Sequence, residues 1–221
     1  MRDPSGVASR RRLAPLLVAT RNAGKLGELR ALLAAVGYDV LDLTTAGVPT
    51  SPAEDAIEAF DTFEANAVAK AEFYHHASGG LATVADDSGL VVDALGGAPG
   101  VHSRRWSGAA GPDVDVTAEN NAKLLRKLEG TLDRRACFVC AVAYTDGPRF
   151  IVERGETVGR IAASPRGTGG FGYDPLFESA DLGWQTFGEV DTAAKARVSH
   201  RGRAFARLVR RLQGHAAKSA G

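Results

Sequence analysis

The chain has 221 residues, 44% of them hydrophobic and 24% charged, which suits one globular domain with a sizeable core and argues against disorder. Its formal net charge is +1, which excludes a broadly basic surface for nucleic acid, so any anion must be held by a local constellation. No apolar run reaches membrane-spanning length, and no membrane partner is expected.

Residues 1–12 are polar, end in Arg10, Arg11 and Arg12, and hold no apolar stretch of the secretory kind. They are expected to form a disordered extension, residues 13–215 a single domain, and residues 216–221 a disordered tail. A short apolar strand at 16–19 leads through the polar turn 20–25 into a helix that runs to about residue 36. Leu26, Leu29, Leu33 and Val36 share one face of that helix, and Gly37 stops it. Residues 42–52 are turn-rich. A second helix is expected over 52–76, with Ile57, Phe60, Ala67, Ala71 and Tyr74 as its buried stripe and Gly79-Gly80 as its end.

A strand at 81–85 is expected to close on the acidic turn 86–89. A loop rich in Gly, Pro and Ser covers 96–111, and a helix with Leu124, Leu125 and Leu128 inward covers 117–129. Strands follow at 136–145, 149–154 and 157–162, then a Gly-rich loop at 167–174. A last helix begins near residue 199 and buries Ala204, Leu208 and Leu212. Alternating helices and strands that give way to meandering strands predict an α/β fold, a mixed sheet with helices packed on it. Cys137 and Cys140 lie three apart within a strand, so they point to opposite faces and pack in the core. With no disulfide framework, a reducing cytoplasm is the expected compartment.

Four polar segments stand at the ends of apolar elements, where open α/β sheets bind ligands. Thr20, Arg21, Asn22, Ala23, Gly24 and Lys25 form a turn that opens a helix, whose free N–H groups and positive dipole end favour an anion. The spacing is not that of a Walker A loop, and taken alone the segment reads more readily as a capped turn. Asp86 and Asp87, followed by Ser88, offer oxygen ligands suited to Mg²⁺ and a carboxylate able to take a proton from water. As an isolated motif the segment could also be a simple acidic turn. Glu64, Asn66 and Lys70 lie on the polar side of the second helix, where Lys70 could hold a phosphate, although the helix by itself reads more readily as a solvated face. The loop bearing Phe171, Gly172, Tyr173 and Asp174 suits a flat ring, and Lys195, His200 and Arg201 stand beside Ser199, an expected N-cap. His75, His76, His102 and His215 show no metal-ligand pattern.

Together, TRNAGK at 20–25, TFEANAVAKA at 62–71, ADDSGLVVDALGGAPGVHSRRW at 85–106, GTGGFGYDPLF at 167–177 and KARVSHRG at 195–202 resemble the noncanonical purine NTP pyrophosphatases, the inosine triphosphatase or dITP/XTP pyrophosphatase family. The resemblance covers nearly the whole chain after residue 13. It implies an elongated mixed sheet with flanking helices, two lobes around a nucleotide cleft, and a homodimer. It also implies Mg²⁺-dependent hydrolysis of ITP, dITP or XTP between the α- and β-phosphates. Carried over by motif, Asp87 is the general base and a Mg²⁺ ligand with Asp86 beside it, and Ser88 contacts substrate. Residues 20–25 and Lys70 line the triphosphate, and Phe171 stacks on the base in a pocket shaped by Gly172, Tyr173 and Asp174. Lys195, His200 and Arg201 then face the purine and its 6-oxo edge. Two positions depart from the family pattern. Ala65 stands where an acid normally precedes Asn66, which leaves the metal site one carboxylate poorer, and Arg104 stands where a small residue is more usual.

Overall fold

The computed structural model describes residues 15–57 and 59–218. The expected N-terminal extension lies outside these residues. The first strand, β1 (Pro15–Val18), leads into α1 (Ala23–Ala34) and then β2 (Asp39–Asp42), which pairs with β1 in parallel. Next come α2 (Phe63–Ala77), β3 (Thr83–Val92), α3 (Asp113–Lys127), β4 (Arg135–Thr145) and β5 (Phe150–Ile161). The short strands β6 (Phe177–Ser179) and β7 (Gln185–Thr186) precede α4 (Thr192–Val198) and α5 (His200–Lys218). The strands form one seven-stranded sheet in the order β2-β1-β3-β4-β5-β6-β7. It is parallel through β2, β1 and β3 and antiparallel beyond, the mixed sheet that the sequence predicts.

Several elements differ from expectation for local reasons. The helix expected over 52–76 is a 3₁₀ turn at Pro52–Ala56 followed by α2, because two N-caps compete. Ser51 and Glu54 form a capping box for the first, and Thr62 accepts the Ala65 N–H to start the second. Phe60 falls between them and is exposed rather than part of the buried stripe. The strands expected at 149–154 and 157–162 are one strand, β5. Gly155 marks a close approach rather than a break, since a Cβ there would lie 2.2 Å from the His200 carbonyl oxygen on α5. The short elements β2, β6, β7 and α4 carry too little periodicity to be read from sequence. The last helix runs to Lys218, past residue 215.

Alternation along β3 sorts the core. Ala85 joins Phe63, Ala67, Ala71 and Tyr74 of α2 on one face, together with Val139 and Ala141 of β4. On the other face Val84 packs with Leu29 and Leu33 of α1 and Leu208 and Leu212 of α5. Farther along that same face Leu90 and Val92 join Leu124 and Leu128 of α3 and Phe177 and Phe187. Asp86 and Ser88 come between these two clusters. Cys140 is buried on this face, and Cys137 packs on the opposite one, both as free thiols.

Candidate active site

The parallel pairing of β1 with β3 ends at Val18 and Val84, while β3 continues to Val92. Beyond that point the edge of β3 has lost its neighbour, and side chains satisfy its backbone instead. Lys70 Nζ donates to the Asp86 carbonyl oxygen at 3.2 Å, the Ser88 N–H donates to Asp87 Oδ1 at 3.0 Å, and the Leu90 N–H donates to Ser103 Oγ at 2.8 Å. Two cavities flank this edge, one of about 130 Å³ and one of about 350 Å³. Both are lined by Lys25, Ser88 and Arg104.

Asp86 to Gly89 form part of a straight strand, not a turn, because β4 pairs with residues 83–92 one for one. Consecutive side chains therefore leave on opposite faces, and the two carboxylates do not sit together. Asp87 faces α2, where Asn66 Nδ2 donates to its Oδ2 at 3.0 Å. Asn66 also binds both backbone groups of Phe60, so one buried amide fixes the carboxylate and the chain entering α2. Asp86 faces the other way and is ion-paired with Lys25 at 3.1 Å and Arg201 at 3.3 Å. Burial alone would raise its pKa, but Lys25, Arg201 and Lys70 outweigh burial and hold it well below the usual carboxylate range. The expectation that Asp86 shares a metal with Asp87 is thus corrected: its Oδ2 already serves two cations on the far face.

The larger cavity is cationic. It is walled by residues 19–22 and by Lys25, Lys70, Arg104, Arg105 and Asp87. Asn22 is the N-cap of α1, and its Oδ1 accepts the Lys25 N–H at 2.8 Å. Arg21 lines the cavity but directs its guanidinium to Glu54 at 2.9 Å and to the Val48 and Pro49 carbonyls. It ties the turn to the neighbouring segment.

The smaller cavity has aromatic walls, Phe138, Phe171 and Tyr173. The Phe171 ring lies against Gly24, where a Cβ would come within 2.7 Å of it, with Lys195 Nζ 4.8 Å from the ring centroid. Tyr173 and Asp174 shape the cavity from behind. The Tyr173 hydroxyl donates to the Ser103 carbonyl at 2.9 Å, and Asp174 accepts the Phe171 N–H at 2.7 Å and pairs with Lys195 at 2.5 Å. Burial raises the Asp174 pKa even against the pull of Lys195. His200 stacks on Phe138 with centroids 4.6 Å apart. Burial, then Arg201 and Lys195, push its pKa well below the usual value, so it is neutral, and its Nδ1 has no hydrogen-bond partner.

A chain of alternating charge joins the two cavities: Asp174, Lys195, Glu28, Arg201, Asp86 and Lys25. Arg201 also donates to Ser88 Oγ at 2.9 Å. Glu28, the middle acid, escapes sequence reasoning, because a lone glutamate on a helix signals nothing. Asn66 in its role toward Asp87, and Asn120, which holds the Ser103 and Arg104 carbonyls, escape it likewise.

A model of the Ham1 family matches residues 16–211. The chain is 49% identical to the dITP/XTP pyrophosphatase of Mycolicibacterium paratuberculosis, an alignment that covers 91% of this chain and 97% of that protein. The chain belongs to the Ham1 family. Another relative, the dITP/XTP pyrophosphatase of Ralstonia nicotianae, is 46% identical with 90% of this chain and 96% of that protein covered. The solved Ham1 protein of Coxiella burnetii superposes with a TM-score of 0.76 at 35% identity, covering 91% of this chain and all of that one. In this Ham1 family member, the two unusual positions have clear surroundings. Ala65 supplies no carboxylate beside Asn66, and Glu64 is paired with Arg154 at 2.7 Å. Arg104 pairs with Asp113 at 3.0 Å at the rim of the smaller cavity. Among the described residues, no three His, Cys, Asp or Glu side chains gather where they could hold a metal.

Proposed function

We propose that this chain hydrolyses noncanonical purine nucleoside triphosphates, ITP, dITP and XTP, to the monophosphate and pyrophosphate. The observation that carries this is the pair of cavities meeting at the free edge of β3, one aromatic and one cationic, with Asp87 in the wall of the second. That shape and charge fit a flat base in one and a triphosphate in the other. The names of the relatives, dITP/XTP pyrophosphatases, support the substrate class.

Lys25, Lys70 and the N–H groups opening α1 hold the phosphates and the departing pyrophosphate. Asp87, fixed through Asn66 and the Ser88 N–H, orients a water and takes its proton as that water attacks the α-phosphorus. The donor set fits Mg²⁺, which binds few carboxylates and is commonly held with phosphate oxygens. Asp87 would hold it, with no second acid at Ala65. When bound, Mg²⁺ neutralises charge on the triphosphate.

Selectivity follows from donors. His200 is neutral, with an unpartnered ring nitrogen, and Arg201 is fixed by Asp86, Glu28 and Ser88 with guanidinium hydrogens to spare. Facing a 6-oxo group these donors are satisfied; facing adenine's amino group they are not, at about 1–3 kcal/mol per buried group. The homodimer implied by the resemblance and the cytoplasmic location expected from the absence of a disulfide framework belong to the same proposal, and sedimentation of the purified protein tests the first.

The test is pyrophosphate release from ITP, dITP, XTP, ATP and GTP, with and without Mg²⁺. Release from ITP, dITP and XTP far above that from ATP, and only with the metal, is expected. Equal kcat/KM for ITP and ATP would overturn the selectivity. ITP binding without release would indicate a binding protein disabled at Ala65.

A further inference from the structure

We propose that Arg104 is a substrate-binding residue that exchanges Asp113 for the α-phosphate of the bound nucleotide; the proposal rests on the function argued above. A nucleotide with its base in the aromatic cavity and its terminal phosphates in the cationic one must cross the junction between them. Ribose and α-phosphate then lie against the residues common to both walls, Lys25, Ser88 and Arg104. Lys25 is engaged with the buried Asp86 and Ser88 with Arg201, whereas Arg104 holds only an exposed partner at this junction.

The Arg104–Asp113 pair is built to be exchanged. The two side chains are 71% and 62% exposed, so water screens their attraction and the pair contributes little where it stands. The backbone beneath is fixed, because Asn120 Nδ2 donates to the Arg104 carbonyl at 2.9 Å. A guanidinium on an anchored stem can therefore swing to a phosphate without remodelling the loop, and it recognises phosphate with directed donors. Asp113, which lines the aromatic cavity, holds the guanidinium in the free protein; in the complex the substrate phosphate takes its place.

The experiment measures kcat/KM for pyrophosphate release from dITP in wild type, Arg104→Ala, Asp113→Asn and the double variant, with melting temperatures as a fold control. Arg104→Ala should lower kcat/KM by roughly tenfold, the size of one charge-assisted contact. Asp113→Asn should raise it by about threefold, because the arginine is released from its competitor. In the double variant that gain should vanish. A purely structural pair would give loss in both single variants, and that outcome overturns the proposal. So does an unchanged Arg104→Ala, an Asp113→Asn without gain, or a gain that persists in the double variant, which would mean plain repulsion. Wild-type protein that releases no pyrophosphate overturns the functional reading and this proposal with it, whereas wild-type release with unresponsive variants overturns this proposal alone.

Discussion

Replacing Glu28 with Gln should be among the most damaging conservative changes in the molecule. Glu28 Oε1 lies 2.6 Å from Lys195 Nζ, and Oε2 accepts from Arg201 Nη1. The side chains of Lys195 and Arg201 are only 4% and 2% exposed, so solvent cannot take over when the charge is lost. Glutamine keeps one acceptor, turns an NH2 donor on the other cation and leaves the chain of alternating charge with an uncompensated positive charge. Removing one partner from a buried pair costs about 3–5 kcal/mol. For a protein of this size each kcal/mol shifts the melting temperature by about 2–4 °C, so a fall of roughly 6–20 °C is expected. The exposed pair Arg30–Asp42, with the arginine side chain 49% exposed, provides the contrast: Arg30→Gln should cost under about 1 kcal/mol. Thermal unfolding of both variants at pH 7 is the assay. KM for ITP should also rise in Glu28→Gln, because Lys195 and Arg201 flank the Phe171 ring. A Glu28→Gln variant that melts with wild type would refute the idea that this network is held by mutual compensation.

Asp87→Asn should abolish pyrophosphate release while leaving the melting temperature within a few degrees, since the amide can still accept from Asn66; retained kcat would remove Asp87 from the mechanism. Gly24→Ala should raise KM for ITP far more than it lowers stability, because the new methyl strikes the Phe171 ring at 2.7 Å; unchanged KM would show that this ring does not contact the base. Stability should fall on acidification in two stages. The unfolded chain protonates His200 near its ordinary value of about 6.5 while the folded chain, with its pKa depressed by burial, does not, so stability is lost as pH drops below that value. Asp86 and Glu28 are also depressed in the fold, so their contribution is complete above about pH 4 and is lost below it. His200→Gln should flatten the first stage only; chemical denaturation between pH 7 and 3 measures both.

Much of this protein is set by local chemistry and was therefore readable along the chain. Asn22 and Ser199 cap helices because their side-chain oxygens reach N–H groups three residues on, whatever the rest of the chain does. Leu29 and Leu33, and Ala204, Leu208 and Leu212, mark helix faces through spacing alone, and the two thiols diverge because a strand alternates. The motifs at 20–25, 85–89, 167–177 and 195–202 pointed to nucleotide chemistry together, through their resemblance to a known family. Their mutual geometry depended on pairing between distant segments. Asp86 and Asp87 read as one acidic turn until β4, more than fifty residues on, holds them in a straight strand and sends them to opposite faces. Residues 149–162 read as two strands, because the helix that packs closely on Gly155 between them begins only at His200. Glu28 carries no local signal at all, and the sequence marks Asn66 and Arg104 without showing their partners. A polar side chain acquires its role from the partner the fold brings to it, and those partners, Arg201, Asp87 and the junction of two cavities, exist only once the sheet has formed.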